Sequence, residues 1–250
     1  MTPGGQITTL ILDWGNTLCD YPLRTEPEQL AFLEAFLLDY SHEAKDRRRE
    51  TSSAPDLDKL RRFNAEHVDG RVTPFAERAR RILDPDFTGA ELGALEAGLC
   101  ARIFAESQLD PDAKSLLRAA KAAGLTTAIL SNTPWGTDPS FWRAEVERHG
   151  LDRTCVDVVV FCGECGFRKP NPAAFAACLN RTGATSSTAV MVGDNHASDI
   201  LGAEAVGCRT VWIRPEAVID DEVSGPTRIV IRDLGHLTRL IEERAQIFWA

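Results

Sequence analysis

Five short, apolar, β-rich runs recur along the chain: QITTLIL (6 to 12), TTAIL (126 to 130), VDVVVF (156 to 161), TAVMV (188 to 192) and RTVWI (209 to 213). Runs this short and this apolar read as strands buried on both faces. Between them lie helical stretches with marked ends: Asp110-Pro111 to Gly124, Asp138-Pro139 to Gly150, and Asn171-Pro172 to Gly183. An Asp or Asn before Pro presets the first helical turn, and Gly readily takes the left-handed conformation that ends one. Strand alternating with helix predicts an α/β fold built on a mostly parallel, doubly wound sheet.

The stretch from about 22 to 108 breaks this rhythm, with helical patterns and no convincing strand. Leu30, Leu33, Phe36, Leu37 and Tyr40 mark one amphipathic face, and Thr88 with Glu91 fits a capping box. The expected organisation is a core made of residues 1–21 and 109–250 with a helical insert at 22–108. RETSSAPD (49 to 56) reads as a loop inside that insert. At 250 residues, 44% of them apolar, the chain can bury a core and carry an insert as well.

In an open α/β sheet, ligands bind beyond the carboxyl ends of the strands. The sequence places Asp13 after the first strand, Ser131-Asn132 after the second, and Gly193-Asp194 after TAVMV, with Lys169 in the loop that follows VDVVVF. A carboxylate at the end of an apolar strand is costly to bury unless it is paired, hydrogen-bonded or bound to metal. Asp13 and Asp194 fit a shared Mg²⁺, a cation that prefers oxygen ligands. Lys169 offers a point charge and Ser131 a hydroxyl to a phosphoryl group. The local alternative is that Asp194 and Asp199 merely cap the helix running through ILGAEA.

DWGNTL (13 to 18), LSNTP (130 to 134), GFRKPNPAAF (166 to 175) and VGDNHASDILGA (192 to 203) together resemble, in order, the four motifs of the haloacid dehalogenase superfamily. The likeness covers 6 to 21 and 109 to 214, while the insert matches only in position and helical character, as the cap that follows motif one. The resemblance implies a Rossmann-like core and Mg²⁺ held by Asp13, the Gly15 carbonyl and Asp194, with Asp199 supporting the metal and lysine network. It also implies an aspartyl-enzyme intermediate on Asp13, with Ser131 and Lys169 on the transferred group. By position, Asn132 joins Ser131 as a substrate-binding candidate, and Trp14 and Trp135, which both follow strand ends, either line the substrate site or pack against the cap. The substrate implied is a small phosphorylated metabolite.

One position departs from the pattern. Phosphatase members resemble D-x-D-G-T, whose second Asp serves as general acid and base, and here that position is Gly15. Loss of such a group commonly slows a reaction by about 10² to 10⁴. Three readings stay open: another proton donor, a leaving group that needs little protonation, or different chemistry. DWGNTLCDY (13 to 21) is similar to the D-W-A-G-T and Asp-Tyr pattern of phosphonoacetaldehyde hydrolases, which need a cap lysine, and only Lys45 and Lys59 stand in the insert. A weakened phosphate-binding or regulatory protein is the alternative from outside the enzymes. His196 reads as a solvent-facing loop residue, and the arginines at 47 to 49, 61, 62, 78, 80 and 81 mostly as a solvated face.

Net charge bears on partners. A formal −9 disfavours binding a nucleic-acid backbone, and no run approaches the roughly 18 apolar residues of a membrane span. The expected location is the cytoplasm, with seven scattered cysteines as reduced thiols; oligomeric state is not legible. Cys162 and Cys165 have metal-like spacing but lack the further ligands of a structural zinc site.

Overall fold

The computed structural model describes residues 6–45, 57–216, 222–223 and 227–244. Its elements run β1 (Thr9–Leu12), β2 (Cys19–Asp20), α1 (Glu26–Lys45), α2 (Leu57–Asn64), α3 (Phe75–Ile82), α4 (Gly89–Phe104), β3 (Gln108–Leu109), α5 (Ala113–Ala122) and β4 (Thr126–Ser131). There follow α6 (Pro139–Arg148), β5 (Val158–Phe161), α7 (Cys162–Cys165), α8 (Pro172–Thr182), β6 (Ala189–Gly193), a π-helical turn (His196–Leu201), α9 (Gly202–Ala205), β7 (Arg209–Ile213), β8 (Glu222–Val223), β9 (Arg228–Ile231) and α10 (Leu234–Glu242). All five expected strands are present.

The main sheet has the order β5-β4-β1-β6-β7-β9-β8. Its first six strands are parallel and β8 runs antiparallel at one edge, so the fold is a Rossmann-like α/β sheet flanked by helices. β1 is buried at every position, which explains its unbroken apolar run, TLIL. Burying side chains such as Leu10, Ile11 and Leu12 is worth ~1.5–3 kcal/mol each. From β1 the chain reaches β4 on one side and β6 on the other, so strand order reverses beside β1. The crevice at such a switch point lies beyond the strand ends, where Asp13 and Asp194 stand.

Helix ends follow local chemistry. Asp138 and Asn171 cap α6 and α8 through their side-chain oxygens, each with Pro in the first turn, and Gly183 ends α8 in the left-handed region. α5 starts at Ala113 rather than at Pro111, because Asp110 turns its carboxylate onto the Asp112 amide and makes a tight turn first.

α1 to α4 lie between β2 and β3. Leu33, Phe36 and Leu37 of α1 are buried and Thr88 and Glu91 form the reciprocal capping box of α4. Residues 49–56, Arg47–Arg49 and the side chain of Lys45 fall outside the described residues. The turn before α3 locks onto the β4 and β5 loops: Val72 N donates to Gly166 O at 2.9 Å, Arg168 N to Gly70 O at 2.7 Å, and the Asn171 amide to Asp69 O at 2.7 Å. Gly136, at φ +66°, comes so close that a Cβ there would sit 1.9 Å from Thr73 O.

Candidate active site

Asp13 is fixed by its own backbone. Its N–H donates to Val192 O at 2.9 Å, extending the β1–β6 ladder one residue past the strand. The chain then folds tightly, with Leu18 and Cys19 N–H groups on Trp14 O and Asn16 N–H on Cys19 O; Asn16 takes φ 60°. Asn, with its short polar side chain, tolerates that region better than most residues. The Asn16 side chain then accepts from Tyr21 N.

Lys169 ties the site together. Its buried ammonium lies 2.7 Å from Asp13 Oδ1, 2.8 Å from Asp199 Oδ1 and 2.7 Å from Leu130 O. Asn132 grips the backbone on both sides of that residue, accepting from Lys169 N and donating to Lys169 O. Burial works against the ammonium, but the Asp13 and Asp199 carboxylates outweigh it and hold the Lys169 pKa above the usual lysine value.

Asp199 is fully buried and accepts from Asn195 N and Ser198 Oγ. It does not cap the helix. Asn195 does that, with its side chain on the Ala197 and Ser198 amides. Gly193 is required here, because a Cβ would stand 2.3 Å from Asp199 Oδ2. Asp194 accepts from Thr17 Oγ1, and its backbone N–H donates back to the same hydroxyl, both at 3.2 Å.

Asp13, Asp194 and Asp199 bring carboxylate oxygens within 4.8 Å of one another. Among these four groups, three carboxylates face one ammonium, leaving two negative charges uncompensated. Burial first, then Asp13 and Asp199, pushes the Asp194 carboxyl up to about 7. An all-oxygen donor set two charges short of balance fits a hard divalent cation.

A cavity of about 300 Å³ opens above these carboxylates. Asp13, Gly15, Ser131, Asn132, Lys169 and Asp194 all border it, and Asp199 lies beneath. Trp14 also borders it, but its side chain is fully buried and its indole N–H is bound to Tyr21 OH at 2.7 Å. Trp135 stacks on Phe32 and donates to Asn64. His196 is half-buried rather than solvent-facing: its ring packs at a tilt against Trp212, faces Arg228 and does not line the cavity. Of the insert arginines within the described residues, Arg61, Arg62, Arg80 and Arg81 are exposed, whereas Arg78 is buried on the carbonyls of Phe63 and Ala65 and the Glu66 carboxylate.

Sequence reasoning misses Thr17, Arg168 and Glu66. Glu66 lines the cavity from the helical stretch and pairs with Arg78 and Arg168; only the side-chain chemistry of Thr17, four residues past Asp13, carried any local signal. Cys165 spends its thiol on the carbonyls of Cys162 and Phe167, and all seven cysteines are free.

The profile of the haloacid dehalogenase-like hydrolases matches residues 7–207. The chain belongs to this family. It is similar to the phosphoserine phosphatase of Thermus thermophilus, 34% identical over 62% of this chain, though that match spans only 61% of the Thermus enzyme. It is also similar to the ribulose-1,5-bisphosphate 5-phosphatase of Halopiger xanaduensis, 29% identical over 92% of this chain and 94% of the other. In fold, the family member resembles a 2-haloacid dehalogenase from Pseudomonas syringae, with TM-score 0.66, 23% identity and 96% and 100% of the two chains covered. No helix among the described residues is long and apolar enough to cross a membrane.

Proposed function

We propose that this family member is a Mg²⁺-dependent phosphohydrolase of small organic phosphates that works through an aspartyl-phosphate on Asp13. The observation that carries the reading is the charge count: three clustered carboxylates, with Asp13 and Asp199 buried and Asp194 half-buried, against one buried lysine. Asp13, Asp194 and the Gly15 carbonyl are the groups to hold the cation, with Asp199 in support. When bound, Mg²⁺ neutralises charge that develops on phosphoryl oxygens.

The remaining roles belong to the chain. Lys169 holds one Asp13 oxygen, which orients the carboxylate and leaves the second oxygen to attack. Ser131 at the end of β4 donates to a phosphoryl oxygen, and Asn132 fixes the loop that presents Lys169. Trp14 and Trp135 serve as walls rather than as reacting groups. Residues 22–108 act as a cap, pinned to the β4 and β5 loops, that keeps water from the crevice.

Gly15 shapes the substrate range. Tyr21 stands closest to the space that a side chain at Gly15 would occupy, but its hydroxyl already takes the Trp14 N–H and burial drives its pKa far up, so it is a poor acid. Glu66 is engaged by two arginines, Arg78 at 2.9 Å and Arg168 at 3.4 Å. Substrates whose leaving group departs with little protonation, such as acyl phosphates, are therefore favoured over alkyl phosphates. A carbon–phosphorus hydrolase is disfavoured by the placement of Lys59, which does not line the cavity.

The test is phosphate release from a panel of acyl phosphates, alkyl phosphates and phosphonoacetaldehyde, with and without Mg²⁺. Release that requires Mg²⁺ and is fastest with acyl phosphates is expected. Silence across the panel from folded protein, with Mg²⁺ still bound, supports the weakened phosphate-binding alternative instead.

A further inference from the structure

Beside Trp14, whose ring lies 5.9 Å from that of His149, a second group of ligating side chains converges. Cys19 of β2, Glu145 of α6 and His149, the C-cap of that helix, bring a thiol, a carboxylate oxygen and a ring nitrogen within 4.8 Å of one another. Cys19 Sγ lies 3.5 Å from His149 Nε2, and Glu145 Oε1 lies 3.1 Å from the same nitrogen. Ser107 Oγ adds a fourth donor atom, 2.6 Å from Glu145 Oε1 and 3.1 Å from His149 Nε2. Four polar groups, counting the Arg148 guanidinium at 3.2 Å, thus surround one ring nitrogen. A neutral imidazole nitrogen makes one good hydrogen bond, as donor or as acceptor, so this convergence exceeds what hydrogen bonding uses.

We infer that Cys19, Glu145 and His149 form a second metal site, built for a borderline-soft divalent cation such as Zn²⁺. Around a tetrahedral zinc with bonds of about 2.0–2.3 Å, neighbouring ligand atoms stand about 3.2–3.7 Å apart, close to the two separations given. A thiolate and an imidazole select zinc over magnesium, whereas the oxygen donors above the sheet suit magnesium, so the two sites differ in chemistry as well as in place. Charge balances too. Binding releases the Cys19 proton, and thiolate plus carboxylate neutralise the dication.

Arg148 is the group that competes. It now pairs with Glu145 through Nε at 2.7 Å and Nη2 at 2.7 Å, and it also reaches Ser107 Oγ and Phe104 O. Its side chain is 53% exposed while that of Glu145 is only 1% exposed, so the guanidinium can swing into water while the ligands stay in place. Cys19 O also accepts from Asn16 N, which links this site to the tight loop that carries Asp13.

Co²⁺ is the probe, added to intact protein in excess Mg²⁺ so that the aspartate site is occupied. One equivalent is expected to give a thiolate-to-cobalt charge-transfer band that Zn²⁺ abolishes. Cys19→Ser, nearly isosteric, should remove the band, and Arg148→Ala, which deletes the competing charge at a surface position, should tighten binding by at least about tenfold. A purely structural network predicts the opposite for Arg148→Ala: lower stability and no gain in metal affinity. A band that survives in Cys19→Ser, or no band in either the wild type or Arg148→Ala, would overturn the assignment.

Discussion

Lys169 is a single cation that must serve two carboxylates, and that arithmetic governs the behaviour of every other side chain in the crevice. Asp194 is the one left without it, its carboxylate accepting from Thr17 instead. Asp13 and Asp194 were legible in the sequence because each follows a strand end, where a charged side chain in an apolar context needs a reason, whereas Lys169 and Asp199 stand in the loop and turn beyond and were legible through their motifs. Thr17, Arg168 and Glu66 were not, since a hydroxyl or a surface charge is ordinary until the fold aims it. At this scale Gly15 gives the sharpest prediction. A Cβ there comes no closer than 3.9 Å to its nearest neighbour, Tyr21 Cδ2, so the backbone has room for the Cβ of Gly15→Asp. If the missing acid and base is all that limits alkyl-phosphate hydrolysis, Gly15→Asp should raise kcat/KM for such esters by about 10²–10⁴. An unchanged rate, with the fold and Mg²⁺ binding intact, means that the pocket is built around a different leaving group.

The elements were read well wherever local chemistry sets them. β1, β4, β5, β6 and β7 appear where continuous apolar runs occur, and α6 and α8 begin and end at their Asx-Pro and Gly signals. The expected start of α5 differs by two residues, Ala113 rather than Pro111, because an Asx turn competes with the cap, and β9 and α10 carried no motif to draw attention to them. Contacts between elements are not periodic and could not be read at all. The meeting of Thr73 with Gly136 is an example: two loops separated by more than 60 residues in sequence approach within van der Waals distance. Gly136→Ala brings a Cβ against the Thr73 carbonyl at a backbone conformation that costs an alanine about 1–2 kcal/mol by itself. The expected result is a loss of at least about 2 kcal/mol in unfolding free energy, with a change in the fluorescence of the neighbouring Trp135. Stability and emission equal to wild type would show that these loops do not hold the helical stretch to the sheet.

For the whole molecule, the charge imbalance couples stability to pH and to metal. Without metal, the Asp194 carboxyl titrates at about 7 in the folded protein against 3.8 for the ordinary group. Between those values the folded state binds more protons than the unfolded state, so this group's contribution makes stability fall as pH rises from about 4 to about 7 and then level off. The gap is worth ~4 kcal/mol at most, as an order of magnitude. Asp194→Asn should therefore unfold at a higher temperature than wild type at pH 8 in a chelator, with the difference vanishing near pH 4. Mg²⁺ at about 100 times its Kd should stabilise wild type by ~2.7 kcal/mol and leave Asp194→Asn unmoved. A wild type and variant that share one pH profile would remove the carboxylate imbalance from the account. The most direct test concerns Asp13 itself: turnover of an acyl phosphate with Mg²⁺, quenched in acid, followed by peptide mass analysis. The account predicts one phosphoryl group on the peptide that contains Asp13, absent in Asp13→Asn and absent without Mg²⁺. Sustained phosphate release with Asp13 never modified, or equal release by Asp13→Asn, would contradict it.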